Sequence, residues 1–223
     1  MANTVFLRLE GPMQSWGERA HWSVRDTAPE PTKSGVIGLV ACALGLSTDE
    51  DLRSLSHAVR MGVRCDQPGT PIVDYHTVVG GVLSAAGKIK YTASTGEPET
   101  VVSSRHYLCD ASFLVALRAE PDAPELIQRI AQALRSPCWP VYLGRKSCPP
   151  SRPILEGVGY YGSLSEALSA WPAAEEMHVR LVIECAPEWG VRRRDELESR
   201  SHRVFGPRYT REEYLALKAA KEE

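Results

Sequence analysis

Thr4-Val-Phe-Leu-Arg-Leu-Glu10 is the stretch that decides the fold. Its alternate positions Val5, Leu7 and Leu9 are apolar, and alternate residues of an extended chain point to the same face. The segment therefore predicts a central or near-central β-strand with one covered face. The residues that follow, Gly11-Pro-Met-Gln-Ser-Trp-Gly17, break this alternation. They predict a loop in which glycine lets the backbone approach a ligand and the indole offers a stacking face.

A helix with an open N-terminus is predicted after this loop. Apolar residues recur at helical spacing from Val36 to Leu44, Ser34 can serve as the N-cap, and Gly45 can end the helix. Lys33 then lies beside unpaired backbone N–H donors, where a phosphate binds readily. The sequence therefore predicts a phosphate site at Lys33 and Ser34.

The chain has 223 residues, 43% hydrophobic and 24% charged, which is enough for one large domain or two small ones. Its longest apolar run, Val36 to Leu46, is about half of the roughly 20 residues that a membrane helix requires. No signal sequence opens the chain. We therefore expect a cytoplasmic protein that does not bind membranes.

The net charge is −2, so nucleic-acid binding would depend on local clusters of cations. One such cluster, with Arg145 and Lys146, lies in the Gly/Pro-rich segment 144–153. Acidic residues are concentrated on predicted helices instead, so this loop pair is less typical of ordinary surface charge. A second cluster consists of C-terminal arginines: Arg192, Arg193, Arg194, Arg200, Arg203, Arg208 and Arg211.

Six cysteines are scattered along the chain without a CxxC pair, so most are predicted to be buried thiols. His106 and Cys109 have a His-x-x-Cys spacing, but no second ligand pair accompanies them, and we expect no metal site. The sequence has no phosphate-loop, dinucleotide-binding or serine-hydrolase motif, so we expect no cofactor.

The order of the remaining predicted elements indicates an α+β fold. After the first helix come a second helix, a strand at 61–65, a strand within 103–118, a helix at 121–134 and a strand at 139–143. This βαββαβ order is that of ferredoxin-like, RRM-like domains, which many RNA-recognition proteins share. We therefore predict a ferredoxin-like RNA-binding domain over residues 1–153.

Two segments lie outside this predicted core. Residues from about 67 to 103 are rich in glycine and proline and lack an apolar pattern, which predicts an inserted thumb hairpin that reaches a partner. Residues 154–223 are predicted to form a small C-terminal β/α extension that packs on the core. It would end in a helix that begins at the capping box Thr210-Arg-Glu-Glu213.

Four separated blocks of the sequence resemble one protein family. They are Leu7-Arg-Leu-Glu-Gly-Pro-Met-Gln-Ser-Trp-Gly17, Pro31-Thr-Lys-Ser-Gly-Val-Ile-Gly38, Arg105-His-Tyr-Leu-Cys-Asp-Ala-Ser-Phe113 and Pro140-Val-Tyr-Leu-Gly-Arg-Lys-Ser-Cys-Pro-Pro-Ser-Arg152. In this order they are similar to the subtype I-E branch of the fifth Cas family, within the RAMP superfamily. The similarity is weakest in the insertion and after Trp171.

The resemblance implies a noncatalytic, RNA-binding subunit of a type I-E CRISPR Cascade surveillance complex in antiviral defence. Such a subunit holds the 5′ handle of the CRISPR RNA and caps the backbone filament. Its expected partners are the CRISPR RNA, the backbone and large subunits of Cascade and, indirectly, target DNA near the PAM end. The residues then expected to bind RNA are Gln14, Ser15, Trp16, Arg25, Lys33, Ser34, His76, Arg105, His106, Tyr107, Arg145 and Lys146.

Two alternatives from other functional classes stay open. His76 or His106 can act as a general base on a ribose 2′-hydroxyl, as in a metal-independent endoribonuclease that processes CRISPR precursor RNA. The second alternative is a scaffold subunit that contacts protein alone. RNA binding requires that Trp16, Lys33, Tyr107 and Lys146 lie together on one surface.

Overall fold

The structure, a computed structural model, describes residues 1–18, 23–81, 83, 87–173 and 176–217. Its elements are β1 (Thr4–Gln14), β2 (Val24–Arg25), α1 (Lys33–Leu44), α2 (Asp49–His57), β3 (Val59–Gln67), β4 (Thr70–Val78), β5 (Val101–Ala119), α3 (Pro124–Arg135), β6 (Leu155–Gly159), α4 (Leu164–Ala170), β7 (Met177–Glu184), a 3₁₀ turn (Pro187–Trp189), β8 (Val191–Ser199) and β9 (Val204–Leu217). Within these ranges, no helix is long and apolar enough to cross a membrane.

A single large sheet runs through the described part of the chain in the order β6-β1-β5-β3-β7-β9-β8. Every pairing along this path is antiparallel, and the short β2 adds a parallel pairing to β5. The architecture is therefore mixed α/β, with a large antiparallel sheet and few helices. The division between 1–153 and 154–223 stays a prediction, and the sheet continues across that boundary.

The 19-residue strand β5 belongs to two parts of the structure. Its residues 112–119 lie between β1 and β3, whereas residues 101–109 pair with β4. We call β4, residues 101–109 and the described residues between them the arm. The side chains of β4 are exposed along nearly the whole strand, whereas Tyr107 and Leu108, on the β5 side of the arm, are buried.

Apolar residues cover both faces of β1. Val5, Leu7 and Leu9 belong to the core that includes α1, α2 and α3, as their alternation predicts. On the opposite face, Phe6 packs with α4, and its ring stacks on Trp171 with 4.2 Å between the ring centroids. The prediction of a single covered face is therefore wrong, because α4 and the residue after it lie over the second face.

The loop predicted at 11–17 begins later than expected. Residues 11–14 continue β1, because Gly11, Met13 and Gln14 remain paired with β5. The strand predicted at 139–143 is irregular in the structure, and the edge of the sheet beside β1 is formed by β6 instead. Both differences depend on pairing with distant strands, which local patterns do not report.

The helix predicted after Thr210 is wrong over the residues that the structure describes. Residues 210–217 are the second half of β9, and Thr210 to Leu217 pair with β7. Leu215 and Leu217 pack at alternate positions with the apolar cluster of α4, which is the period of a strand. The last part of the predicted helix, through Lys221, lies outside the described residues.

Candidate nucleic-acid interface

A groove of about 990 Å³ opens between the start of α1 and the β8–β9 hairpin. Its walls are the segment after β1, the first turns of α1, and β8 with the turn that follows it. We call it the basic groove, because the described residues that line it include a single acid, Glu18, and six arginines: Arg25, Arg192, Arg193, Arg194, Arg200 and Arg203.

Four arginines of the basic groove have no carboxylate partner among the described residues. The side chains of Arg192 and Arg203 make no hydrogen bond or ion pair there, and those of Arg194 and Arg200 donate only to backbone carbonyl oxygens. Arg193, in contrast, pairs with two acids of the segment before α1. Uncompensated cations that line one groove attract an anionic ligand, which would supply the missing countercharge.

The turn that carries Arg200 and Arg203 is anchored by Asp49, in the first turn of α2. The Asp49 carboxylate accepts hydrogen bonds from Ser199 Oγ at 2.6 Å and from the backbone N–H groups of Arg200 and Ser201 at 3.1 and 3.2 Å. It also accepts a hydrogen bond from Ser201 Oγ. These hydrogen bonds, first of all those from Ser199 and Ser201, hold the pKa of Asp49 well below its ordinary value. The turn is therefore fixed by a charged acceptor.

Lys33, predicted to bind a phosphate, lies inside the protein. Its ammonium group lies 2.8 Å from a Glu196 oxygen and 3.2 Å from a Glu184 oxygen, and the residue is 1% exposed. Its backbone N–H donates to Asp195 Oδ2 at 2.8 Å. The phosphate site predicted at Lys33 is therefore wrong, because acids of β7 and β8 already satisfy both the cation and the helix start.

The next residues of α1 do reach the basic groove. The helix has Thr32 rather than Ser34 as its N-cap, so the predicted cap is off by two residues. Ser34 and Gly38, one helical turn apart, both line the groove. A Cβ added at Gly38 would meet no atom within 4 Å, so this side of the groove is an open floor.

Gln14, Ser15 and Trp16, predicted to contact RNA, support the groove from within. Trp16 is 1% exposed, and its Nε1 donates to Gln14 Oε1 at 3.1 Å. The amide nitrogen of Gln14 in turn donates to the backbone of Leu9 and Ala111. Ser15 and Trp16 border the groove, but the buried indole has no face open for stacking. The prediction that Gln14 and Trp16 contact RNA is therefore wrong in this conformation.

The loop 143–148 is locked against the segment after β1. The backbone N–H of Ser15 donates to the carbonyl oxygen of Leu143 at 3.1 Å. Gly144 has a φ of 90°, and a Cβ there would lie 1.8 Å from the carbonyl oxygen of Ser15. Only glycine fits at this close approach.

Arg145 holds three segments of the protein together. Its guanidinium donates to the carbonyl oxygens of His106 at 3.2 Å, Arg25 at 2.8 Å and Asp26 at 3.3 Å. It also lies over the ring of Tyr107, which is thereby buried. The Tyr107 ring is therefore closed to stacking, whereas Arg145 is partly buried and engaged with protein groups, so its contact with RNA stays a prediction. The neighbouring Lys146 is exposed.

The remaining predicted contacts lie on the arm. Arg105 and His106 are in the part of β5 that pairs with β4, and His76 is in β4 opposite Ser103. The Nδ1 atom of His76 lies 3.5 Å from Asp74 Oδ2. None of these side chains lines the basic groove. The predicted residues thus divide between the groove, the layer of side chains behind it and the arm.

The cysteines are less buried than predicted. Only Cys65 and Cys148 are buried, whereas Cys138 is exposed and the other three are intermediate. Burial raises the pKa of Cys65 to about 12, so its thiol is protonated at neutral pH. In the described ranges, no three His, Cys, Asp or Glu side chains come together as a metal site would require.

The C-terminal arginines are conspicuous in the sequence, but they were not among the residues predicted to bind RNA. The signal was Arg192-Arg-Arg194, in which a strand puts the first and third residues on one face and the middle one on the other. The structure follows this pattern, because Arg193 pairs with Glu30 while Arg192 and Arg194 have no acidic partner in the part of the chain that the structure describes. A strand prediction for residues 191–199 would have placed Arg192 and Arg194 on one face, which is the β8 wall of the basic groove.

Comparison with known proteins gives one consistent family. Residues 4–211 match the family model described as CRISPR-associated protein (Cas_Cas5). The CRISPR system Cascade subunit CasD of Escherichia coli (strain K12) is 38% identical over 167 residues, which are 70% of this chain and 71% of that protein.

Two solved structures share the fold over nearly the whole chain. A chain of a structure titled "Crystal structure of Cas protein" is 35% identical with a TM-score of 0.74, covering 97% of this chain and 98% of that one. A chain of a "CRISPR RNA-guided surveillance complex" is 31% identical with a TM-score of 0.78, covering 96% of this chain and 90% of that one. The protein therefore belongs to the Cas5 family of CRISPR-associated proteins.

Proposed function

We propose that this chain is the subunit of a type I-E Cascade complex that holds the 5′ handle of the CRISPR RNA in the basic groove. The observation that carries the proposal is the group of four arginines in one groove that have no carboxylate partner within the described ranges. The phosphates of a single-stranded RNA would neutralise these cations. The similarity to CasD and to a chain of an RNA-guided surveillance complex supports this choice of ligand.

In this proposal the RNA backbone lies between two walls of different character. Ser34 and Gly38 form a floor of small residues, over which a sugar-phosphate chain can approach the helix closely. Arg192, Arg194 and Arg203 face it from the β8–β9 hairpin and bind the phosphates. The small residues of α1 leave room for the RNA backbone, and the arginines of the hairpin bind its phosphates.

We further propose that β1, β3, β5 and β6 form a ferredoxin-like core. Their order in the sheet, β6-β1-β5-β3, supports this proposal. So does their order along the chain, in which α1 and α2 lie between β1 and β3, and α3 lies between β5 and β6. Residues 154–223 then form a C-terminal extension, apart from β6, and the arm reaches the neighbouring backbone subunit. The large subunit, and indirectly target DNA near the PAM end, would lie close by in the cytoplasmic complex.

The proposed role is binding without cleavage. An endoribonuclease would need a general base beside the bound ribose, and neither His76 nor His106 lines the basic groove. His106 pairs across the arm with Val73, and His76 lies near Asp74. This placement supports a noncatalytic subunit and gives no specific support to the nuclease alternative.

A photoreactive amino acid in place of Gly38 tests the proposed RNA path. Because a Cβ at this position meets no atom within 4 Å, the new side chain enters the groove without disturbing the helix. Irradiation of the assembled complex is expected to link it to the repeat-derived 5′ end of the CRISPR RNA. The same amino acid in place of Arg129, exposed on α3, is the control and should give no link to RNA. Links from position 38 to protein alone would contradict the proposal and favour the scaffold alternative.

A further inference from the structure

A second groove, of about 750 Å³, continues the basic groove on the far side of Arg192. The two share Glu18, Arg192 and Arg193 in their walls, so a chain leaving one enters the other. We call it the outer groove. The 3₁₀ turn, the start of β8 and residues 210–212 of β9 form its lining.

The outer groove contains an exposed indole, that of Trp189, on a turn that packs tightly against the sheet. Trp189 is 74% exposed, and its backbone N–H donates to the carbonyl oxygen of Ala186 at 3.1 Å. The next residue, Gly190, packs so closely that a Cβ there would lie 2.5 Å from Cys185 Sγ and 3.0 Å from the backbone of Thr210. The turn is therefore fixed to the sheet while the ring stays open to a ligand.

The charges of the outer groove differ from those of the basic groove. Glu18 and Glu212 are each paired with an arginine, as is Arg211 with an acid. Arg192, which has no acidic partner among the residues that the structure describes, lies at the border with the basic groove, and Glu188 lies in the 3₁₀ turn. A nearly neutral groove with an aromatic face suits a nucleobase, whereas the basic groove suits phosphates.

We infer that Trp189 is a stacking platform for one base of the RNA that leaves the basic groove. Arg192 then binds the phosphate between the two grooves. This inference rests on the proposed function, because the RNA path is the one proposed above. Indole stacking tolerates any base, so the platform would fix where a nucleotide lies without reading its identity.

Two substitutions separate stacking from other roles of the side chain. Trp189→Ala in the full chain should weaken binding of the single-stranded handle RNA by about tenfold, whereas Trp189→Phe keeps an aromatic ring and should bind within about twofold of the unsubstituted chain. Tyr160, 66% exposed and next to β6 at the opposite edge of the sheet, provides the control Tyr160→Ala, which should not change the affinity.

An abasic scan of the RNA then locates the stacked nucleotide. One abasic position should weaken binding to the unsubstituted chain and have no further effect on Trp189→Ala, as expected for two changes that remove one contact. Unchanged RNA affinity of Trp189→Ala, or a loss of binding to another Cascade subunit instead, would overturn the inference. Either result leaves the proposed function standing, whereas equal RNA binding by Arg203→Glu would count against the proposed function itself.

Discussion

The guanidinium carbon of Arg145 lies 4.7 Å from the centroid of the Tyr107 ring. The same guanidinium donates to carbonyl oxygens at the end of β2 and in β5, so one side chain joins the loop 143–148 to two other segments. Lys146 follows it in the sequence and is exposed. Two neighbouring cations of one loop therefore have different roles.

Arg145→Ala is expected to lower the free energy of unfolding by about 2 kcal/mol, because hydrogen bonds and a cation–π contact are lost together. Urea denaturation measures this change. The matched control, Lys146→Ala, should stay within about 0.5 kcal/mol of the unsubstituted chain, as exposed substitutions usually do. Equal effects of the two substitutions would contradict the role assigned to Arg145.

Lys33→Met should destabilise the fold by about 3 kcal/mol, because it removes the cation that lies between the Glu184 and Glu196 carboxylates. Glu196 is then left without a cation among the described residues, whereas Glu184 keeps its pair with Arg60. Glu184 and Glu196 both lie within 3.2 Å of the Lys33 ammonium group. Chemical denaturation measures the loss, and RNA affinity measured well below the melting temperature should stay within about twofold because the residue is buried. A loss of RNA affinity at unchanged stability would restore the phosphate site predicted from the sequence.

The anchor at Asp49 predicts a pH dependence. Since folding lowers the pKa of Asp49, its stabilising contribution is present above the ordinary aspartate pKa and is lost as the pH falls through the lowered value. Asp49→Asn should therefore melt at a lower temperature than the unsubstituted chain at pH 7, with a gap that narrows in strong acid. Thermal melts of both chains across this range provide the test, and a gap that is independent of pH would contradict the anchor.

Gly38 allows the groove to be blocked without damage to the helix. Gly38→Ala should stabilise the chain by up to about 1 kcal/mol, because alanine favours a helix interior and its Cβ has room. Gly38→Glu should fold as well but bind handle RNA at least about tenfold more weakly, since it places an acid among the groove arginines. Titration of labelled RNA measures this, and undiminished binding by Gly38→Glu would mean that the RNA lies elsewhere.

The elements that the sequence predicted correctly are those with a strong local period. The strand from Thr4 and the helix from Lys33 to Leu44 each have their own apolar pattern, and the helix also ends at a glycine C-cap, Gly45. In contrast, Thr210-Arg-Glu-Glu213 has the local pattern of a helix start and is a strand, because pairing with β7 and burial of Leu217 against α4 outweigh the local preference. Tertiary pairing of this kind is invisible in a single segment.

The candidate site was predictable in outline and not in its chemistry. The blocks around Trp16, Ser34 and Arg145 do converge, and Ser34 and Arg25 line the basic groove. The sequence could not show that acids about 150 residues away neutralise Lys33, or that Trp16 is enclosed. A polar residue in a conspicuous motif can support a site from within, and only the fold distinguishes support from contact.

Two double charge reversals test the central claim most directly. Arg192→Glu with Arg203→Glu changes two basic-groove arginines that have no partner among the described residues. Arg129→Glu with Arg135→Glu makes the same charge change on α3, outside the groove lining. The measurement is the affinity of each full chain for single-stranded handle RNA over a range of salt concentrations. We expect the groove variant to lose at least about tenfold in affinity and to reduce the slope of log K against log salt by about 1.4, as two lost phosphate contacts on single-stranded RNA should. The α3 variant should bind like the unsubstituted chain. Equal losses in the two variants, or an unchanged salt slope in the groove variant, would show that the basic groove does not hold the RNA.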